Sequence, residues 1–450
     1  STAIKCFIVC IFLNSLIPAV SILILAIASI LLAIIFFHIP NKLFLFTLFS
    51  FCTSEMFSGS LFGLEFDISA TTQGMSTISS ICILSLFIII VIKKVFSSKI
   101  NVIYIEHSNP IIRCIILFTI TQFLATILSV DISLSLNKFY SLIQHLLWFY
   151  VCIVFLHKIK VIELVNFVGG IAIICGTFYI YNFLILGQPY QDDANIVVLL
   201  PFLINIIWSN KLKIFSNIYF IFIGVSIFLV DSRRMLIALI IYYNNFLYRY
   251  FLKKSNYFLI ISGITLLLFL LKDNSSANSP DIRIFGTIDI LLKYVSGQEL
   301  DNSDKYNLFT KRNILAAIGF NLFLESPIFG TGLGMNSILA GQVYFGDFTT
   351  NRFRIHNLYL EILAESGVLG FISYFMIIIV SLLAMYRSMK IKNIESTFIT
   401  ASVILFDVII AMSIIAIFGS RGPYSKLTWF IFAFTYFISI KSSKHSTISH

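Results

Sequence analysis

The chain has 450 residues, 58% of them hydrophobic, 16% aromatic and only 12% charged, well outside the composition of a soluble domain. That excludes a soluble globular enzyme and points to a membrane protein. The net charge of +10 reads as membrane topology, because no basic run is interleaved with aromatic residues on a polar stretch as nucleic-acid binding would require.

Apolar runs of about 15 to 25 residues recur along the chain, each long enough to cross a hydrocarbon core roughly 30 Å thick. They predict an all-α, polytopic transmembrane bundle of about fourteen spans. In chain order it divides into amino-terminal spans (1–190), central spans (191–271), one long loop (272–355) and carboxy-terminal spans with a polar tail (356–450). Ile4 to Pro18 and Ala19 to Phe37 read as a hairpin of two short spans. A cleavable signal is not read there, because no small-residue cleavage site precedes a soluble region.

With both termini in the cytoplasm, one side collects Lys5, Lys42, Lys93, Lys94, Lys99, Arg113, Lys158, Lys160, Lys211, Lys213, Arg249, Lys253, Lys254, Arg387, Lys390, Lys392, Lys441 and Lys444. Short loops on the other side hold only Lys138, Arg233, Arg234, Arg421 and Lys426. This asymmetry follows the positive-inside rule and agrees with an even number of spans.

The stretch from Lys272 to Ile355 then lies outside and is the one long loop. Loops of that length are functional or disordered. Its content argues for order: "IRIFGTIDILLKYV" and "NILAAIGFNLFLE" carry apolar residues at helical spacing and predict two amphipathic helices on the membrane-facing rim. "FGTGLGMN" has three glycines but no preceding strand, so it reads as a tight turn that folds the loop back onto the bundle, not as a nucleotide-binding fingerprint.

Several charged residues need an explanation. Arg233 and Arg234, in "DSRR", lie between two spans with hardly any loop around them. They are interfacial anchors or ligands of an anion. Arg312 opens the second loop helix beside Lys311, two cations where the helix dipole prefers negative charge. An anion would resolve both oddities.

His356 stands at the start of the next apolar run, after Arg352 and Arg354. It is either a hydrogen-bonded interfacial residue or a titratable base beside anion-binding arginines. The pattern sets Gly367 and Gly370 on the same helix face, where small residues permit close packing. Glu361 and Glu365 are plain helix-start acids, or one of them orients the histidine.

The seven cysteines all lie in apolar runs without a CxxC spacing, and no His/Cys cluster offers a metal cage. Neither a disulfide, a protein-held metal nor a cofactor is indicated.

His356, Asn357, nine residues, Gly367, two residues and Gly370 match the His-Asn/Ser/Gln-x9-Gly-x-x-Gly pattern. That pattern resembles the bacterial O-antigen ligases and their relatives, the O-antigen polymerases. "DDAN" (192 to 195), "DSRR", and "KRNILAA" through "ESPIFGTGLG" fall in the same order, so the resemblance covers roughly Asp192 to Tyr374. Relatives often have small residues where this chain continues with Arg234 and Met235, which leaves open which of Arg233 and Arg234 faces substrate.

The resemblance implies a GT-C-like glycosyltransferase of the bacterial inner membrane. It would take a glycan from undecaprenyl diphosphate at the periplasmic face, with inversion and without a metal. It implies His356 as general base and Arg233 and Arg312 as diphosphate ligands, with Arg234, Arg352 or Arg354 as helpers. Asn357, Gly367, Gly370 and Glu361 would set the helix. Partners would be the lipid-linked oligosaccharide, the bilayer and a chain-length regulator.

A polymerase adds the growing chain to the next lipid-linked repeat unit, and a ligase adds the finished chain to lipid A core. The resemblance favours the polymerase, since ligases of this kind tend to be a little shorter, with about twelve spans. A transporter of lipid-linked sugars would want mid-membrane charges and an internal repeat. Asp407 is the clearest intramembrane acid, and no repeated halves are visible. A passive scaffold would leave the outer arginines unexplained.

Overall fold

The computed structural model describes residues 22–53, 68–96, 106, 108–186, 202, 312–339, 355, 357–391, 395–418, 423 and 425–448. Among the described residues the chain is helical, with no strand. The helices are α1 (Ile22–Ile35), α2 (Pro40–Thr53), α3 (Ile68–Phe96), α4 (Pro110–Ile127) and α5 (Ile132–Leu156). They continue as α6 (Val161–Leu186), α7 (Arg312–Glu325), α8 (Leu358–Lys390), α9 (Ser396–Ile415) and α10 (Lys426–Ile448).

Four of them, α4, α5, α8 and α9, are long and apolar enough to cross a membrane. The expected second short span, Ala19 to Phe37, coincides with α1. Ile4 to Pro18, most of the central spans and the first loop helix lie outside the described residues.

Local chemistry sets the helix starts. Asn109 caps α4, its side-chain oxygen accepting from the Ile111 amide at 3.0 Å, and Pro110 takes the first helical position, where no amide hydrogen is needed. Asp131 caps α5 by accepting from the Leu134 amide at 3.1 Å. The turn between the two, Leu128 to Asp131, is therefore short and defined from both sides.

The core is built on α10. Trp429, Phe430, Ile431, Ala433, Phe434 and Tyr436 are all fully buried, and a helix apolar on every side belongs in the middle of a bundle. It packs along α5, where Trp148 donates its indole N–H to the Lys426 carbonyl at 3.1 Å. Helix α8 packs on α4, α9 and α10, and α7 packs on α8. Ile116, Leu117, Ile120 and Phe123 of α4, like Ile372 and Phe375 of α8, stay exposed, as lipid-facing side chains do.

With no water available inside a bilayer, buried hydroxyls must find acceptors within the protein. Thr47, Ser85, Thr126, Ser366 and Ser402 each donate to the carbonyl one turn back, at 2.7 to 2.9 Å. Two polar links cross from α4 to α8: Gln122 Nε2 donates to Ser366 Oγ at 2.9 Å, and the Thr121 and Ser373 hydroxyls meet at 3.0 Å.

The bundle has two distinct ends. At one, the start of α4 meets the end of α10, with Asn109 donating to Ser439 Oγ at 3.3 Å. Arg113, Arg387, Lys390 and Lys441 belong to helix turns at this end, as do Lys158 and Lys160 after α5. Burial, and then the charge of neighbouring Lys93, hold the Lys158 ammonium below its ordinary range. At the other end the turn between α4 and α5 meets the segment that follows α7 and the start of α8. The candidate site lies there.

Candidate functional site at the broken start of α8

The apolar pattern predicts one helix carrying His356, Gly367 and Gly370 on a single face. The structure corrects this in two places. Helix α8 begins at Leu358, because Asn357 is its cap: the backbone of Asn357 is extended, and its Oδ1 accepts from the amides of Tyr359 and Leu360, each at 3.1 Å. His356 therefore precedes the helix. Gly367 then interrupts it, with φ 64° and ψ −167°, a region open essentially to glycine alone. Gly367 is a break as well as a point of close approach, for a β-carbon there would overlap the Ile328 and Phe329 backbone.

The break has a geometric reason. An unbroken helix of 33 residues would be about 50 Å long, well beyond a hydrocarbon core of roughly 30 Å. Residues 368–390 alone supply about 34 Å, enough to span. The preceding short helix, 358–366, is left as a separate piece at the end of the bundle.

A helix end leaves orphan carbonyls and amides, which are costly away from water. Here the segment after α7 gives partners to two of the carbonyls and one of the amides. The Thr331 amide donates to the Ala364 carbonyl at 2.8 Å and the Gly332 amide to the Glu365 carbonyl at 3.0 Å. In return, the Val368 amide donates to the Pro327 carbonyl at 2.9 Å. The Thr331 hydroxyl adds a bond to the Ala364 carbonyl at 3.1 Å. The turn expected at "FGTGLGMN" is present, and its role is specific: it donates to the Ala364 and Glu365 carbonyls at the end of the broken helix.

Gly370 serves a different purpose. A β-carbon there would strike the Ser366 hydroxyl and approach Gln122 Nε2 at 3.0 Å. Its absence leaves room for the Gln122–Ser366 bond.

The second loop helix begins at Arg312, where the sequence places it. Ile318 and Leu322 of α7 form a small buried cluster with Ile355 and Ala364. Gly319 makes the closest contact, for a β-carbon there would come within 2.5 Å of Ile355 Cδ1. The chain just before His356 is thereby seated on the helix that Arg312 opens. Gly319, Gln122, Ser129 and Ser135 carry no motif. The only hint in the sequence is a small residue in "AAIGFN" and polar residues inside "TITQFLATILSVDISLS".

Glu361 and Glu365 are buried in the short helix, at 8% and 5% exposure, so they are not solvated helix-start acids. Asp407 of α9 is buried as well. His356, Arg233, Arg234, Arg352 and Arg354 lie outside the described residues, as does the side chain of Arg312. Among the described residues no group of three His, Cys, Asp or Glu side chains is placed to hold a metal ion.

Replacing Asn357 by Ala should remove the cap and cost about 1 kcal/mol of local stability. Asn357→Ser, which can still cap, should behave nearly as the native chain. Thermal unfolding of the purified variants, read beside their transfer activity, checks this ordering.

Residues 218–375 match the family model described as O-antigen ligase. The match bears out the resemblance drawn from the histidine motif, and it runs from before Arg233 to just beyond Gly370. No curated protein matches the sequence. The family and the four apolar helices together support a membrane transferase of the O-antigen ligase and polymerase type.

Proposed function

We propose that the chain transfers a glycan from undecaprenyl diphosphate to a sugar hydroxyl at the periplasmic face of the bacterial inner membrane. The observation that carries this reading is the seating of Ile355 on Gly319 of α7. Position 356 is one Cα step, about 3.8 Å, from Ile355 on one side and from the capping Asn357 on the other. Arg312 stands seven residues before Gly319 on the same helix, about 10 Å along its axis. In this reading a base at position 356 and a guanidinium at position 312 serve one bound donor.

The chemistry follows from the leaving group. Breaking the bond between the anomeric carbon and the diphosphate builds negative charge on the phosphate oxygens, and arginines bind such groups through two parallel hydrogen bonds. Arg312 and Arg233 have this role, with Arg234, Arg352 and Arg354 as further cations. His356 takes the proton from the acceptor hydroxyl as its oxygen attacks the anomeric carbon, which inverts that centre. The scheme uses no protein-held metal and no cofactor.

Arg312→Ala should lower kcat/KM for the lipid-linked donor by about 10- to 100-fold, the scale of one lost charge-assisted contact. Arg312→Lys should recover part of that loss, because a point charge replaces a planar fork. Steady-state kinetics with a purified donor read both.

The acceptor we favour is the next lipid-linked repeat unit, which makes the protein an O-antigen polymerase that works with a chain-length regulator. The family description favours the second reading, a ligase acting on lipid A core. A lipopolysaccharide gel of a strain lacking the gene separates the two. Core capped by a single repeat unit identifies a polymerase. Bare core with long glycan accumulating on undecaprenyl diphosphate identifies a ligase.

A further inference from the structure

The turn between α4 and α5 lies about 230 residues before the histidine helix, outside the segment matched by the family model. Yet it touches the glycine segment at several points. The Val130 amide donates to the Thr331 carbonyl at 3.1 Å, and the Ser135 hydroxyl donates to the Leu333 carbonyl at 3.0 Å. The Ser129 and Ser135 hydroxyls meet at 2.6 Å. Gly332 has φ 112°, and a β-carbon there would overlap the side chain of Ser129. Thr331 is thus held from both sides: its amide donates to the end of the short helix while its carbonyl accepts from the α4–α5 turn.

We propose that this turn, Leu128 to Asp131 together with Ser135, is a positioning element of the transfer site. It presses the glycine segment onto the broken helix and so fixes where the His356 end of that helix stands. The inference rests on the transferase reading above. None of these residues touches substrate; they act through the backbone of residues 330–334. Displacement of about 1 Å at a reacting group can cost a hundredfold in rate, so a loosened clamp should be visible in turnover.

The test uses the full chain in lipid nanodiscs and three variants. Ser135→Ala removes a hydroxyl and adds no volume. Gly332→Ala drives a methyl group into Ser129. Gly334→Ala shares a left-handed backbone, with φ 74°, but its β-carbon would meet only Lys138 methylenes at 3.5 Å and beyond.

Amide hydrogen exchange at residues 331, 332 and 368 should rise about tenfold in Ser135→Ala and more in Gly332→Ala. With the lipid-linked donor, kcat should fall about tenfold for Ser135→Ala and about a hundredfold for Gly332→Ala, with KM within about twofold of the native chain. Gly334→Ala should lose less than Gly332→Ala on both measures. Should Gly332→Ala fail to fold, Ser135→Ala decides alone.

Faster exchange with unchanged kcat would show a merely structural contact and overturn the proposal, as would unchanged exchange. The transferase reading fails separately, when native protein in the same nanodiscs forms no product. The exchange result would then stand as a description of the clamp, and the positioning role would fall with the reaction.

Discussion

Replacing His356 by Ala should reduce glycan transfer by about 10²- to 10⁴-fold while the protein still inserts and folds. The size follows from the role. A sugar hydroxyl is a poor nucleophile until its proton is removed, and a positioned base contributes on that scale. The fold should survive because α8 starts after His356: the cap belongs to Asn357, and the buried contacts on either side belong to Ile355 and Leu358. His356→Gln, which keeps polarity and approximate volume without a base of suitable strength, should be as inactive as the alanine variant. Transfer assays on purified protein, normalised to folded protein by thermal unfolding, give the comparison. Full activity in either variant would return His356 to an ordinary interfacial residue.

Gly367→Ala should be nearly as damaging, and for a different physical reason. The backbone conformation at Gly367 costs an L-residue about 1–3 kcal/mol. In addition, the new methyl group would overlap the Ile328 carbonyl and the Phe329 amide nitrogen, both backbone atoms that cannot rotate away. The chain must then either straighten the helix or push the glycine segment off. Either response breaks the bonds from Thr331, Gly332 and Val368 that satisfy the break. Transfer should fall about a hundredfold, and the unfolding temperature should fall with it, which separates this variant from His356→Ala. Gly370→Ala meets the Ser366 side chain, its β-carbon included, and the Gln122 amide, but its backbone is helical and no backbone atom is among the nearest, so it should be milder than Gly367→Ala.

Much of this end of the molecule is legible in the sequence. The polar start of α7 at Arg312 and the glycines that turn the chain at "FGTGLG" are local signals, and the structure has a helix start and a turn at those places; the cap at Asn357 is equally local, yet the apolar pattern alone runs the helix back to His356. The break at Gly367 is not legible, because apolar residues continue at helical spacing on both sides of it. A single glycine inside such a run is compatible with an unbroken helix. The bonds that Pro327, Thr331 and Gly332 make to the break support it, and these partners lie outside the run.

The part played by the amino-terminal helices is hidden for a related reason. Gln122, Ser129 and Ser135 act through partners some two hundred residues away, and a lone polar side chain in an apolar run has no pattern of its own. Burial of Glu361 and Glu365 is likewise a tertiary fact. From the sequence both look like acids placed to suit a helix dipole.

The most direct test of the central claim is a reconstitution. The purified chain is placed in liposomes with an undecaprenyl-diphosphate-linked repeat unit as the sole glycan, and the lipid products are separated by mass. The account predicts glycans of two or more repeat units on the lipid, with one undecaprenyl diphosphate released for each bond made, and neither product with His356→Ala. Repeat units carried across the bilayer with no new glycosidic bond and no released undecaprenyl diphosphate would contradict it and identify a transporter.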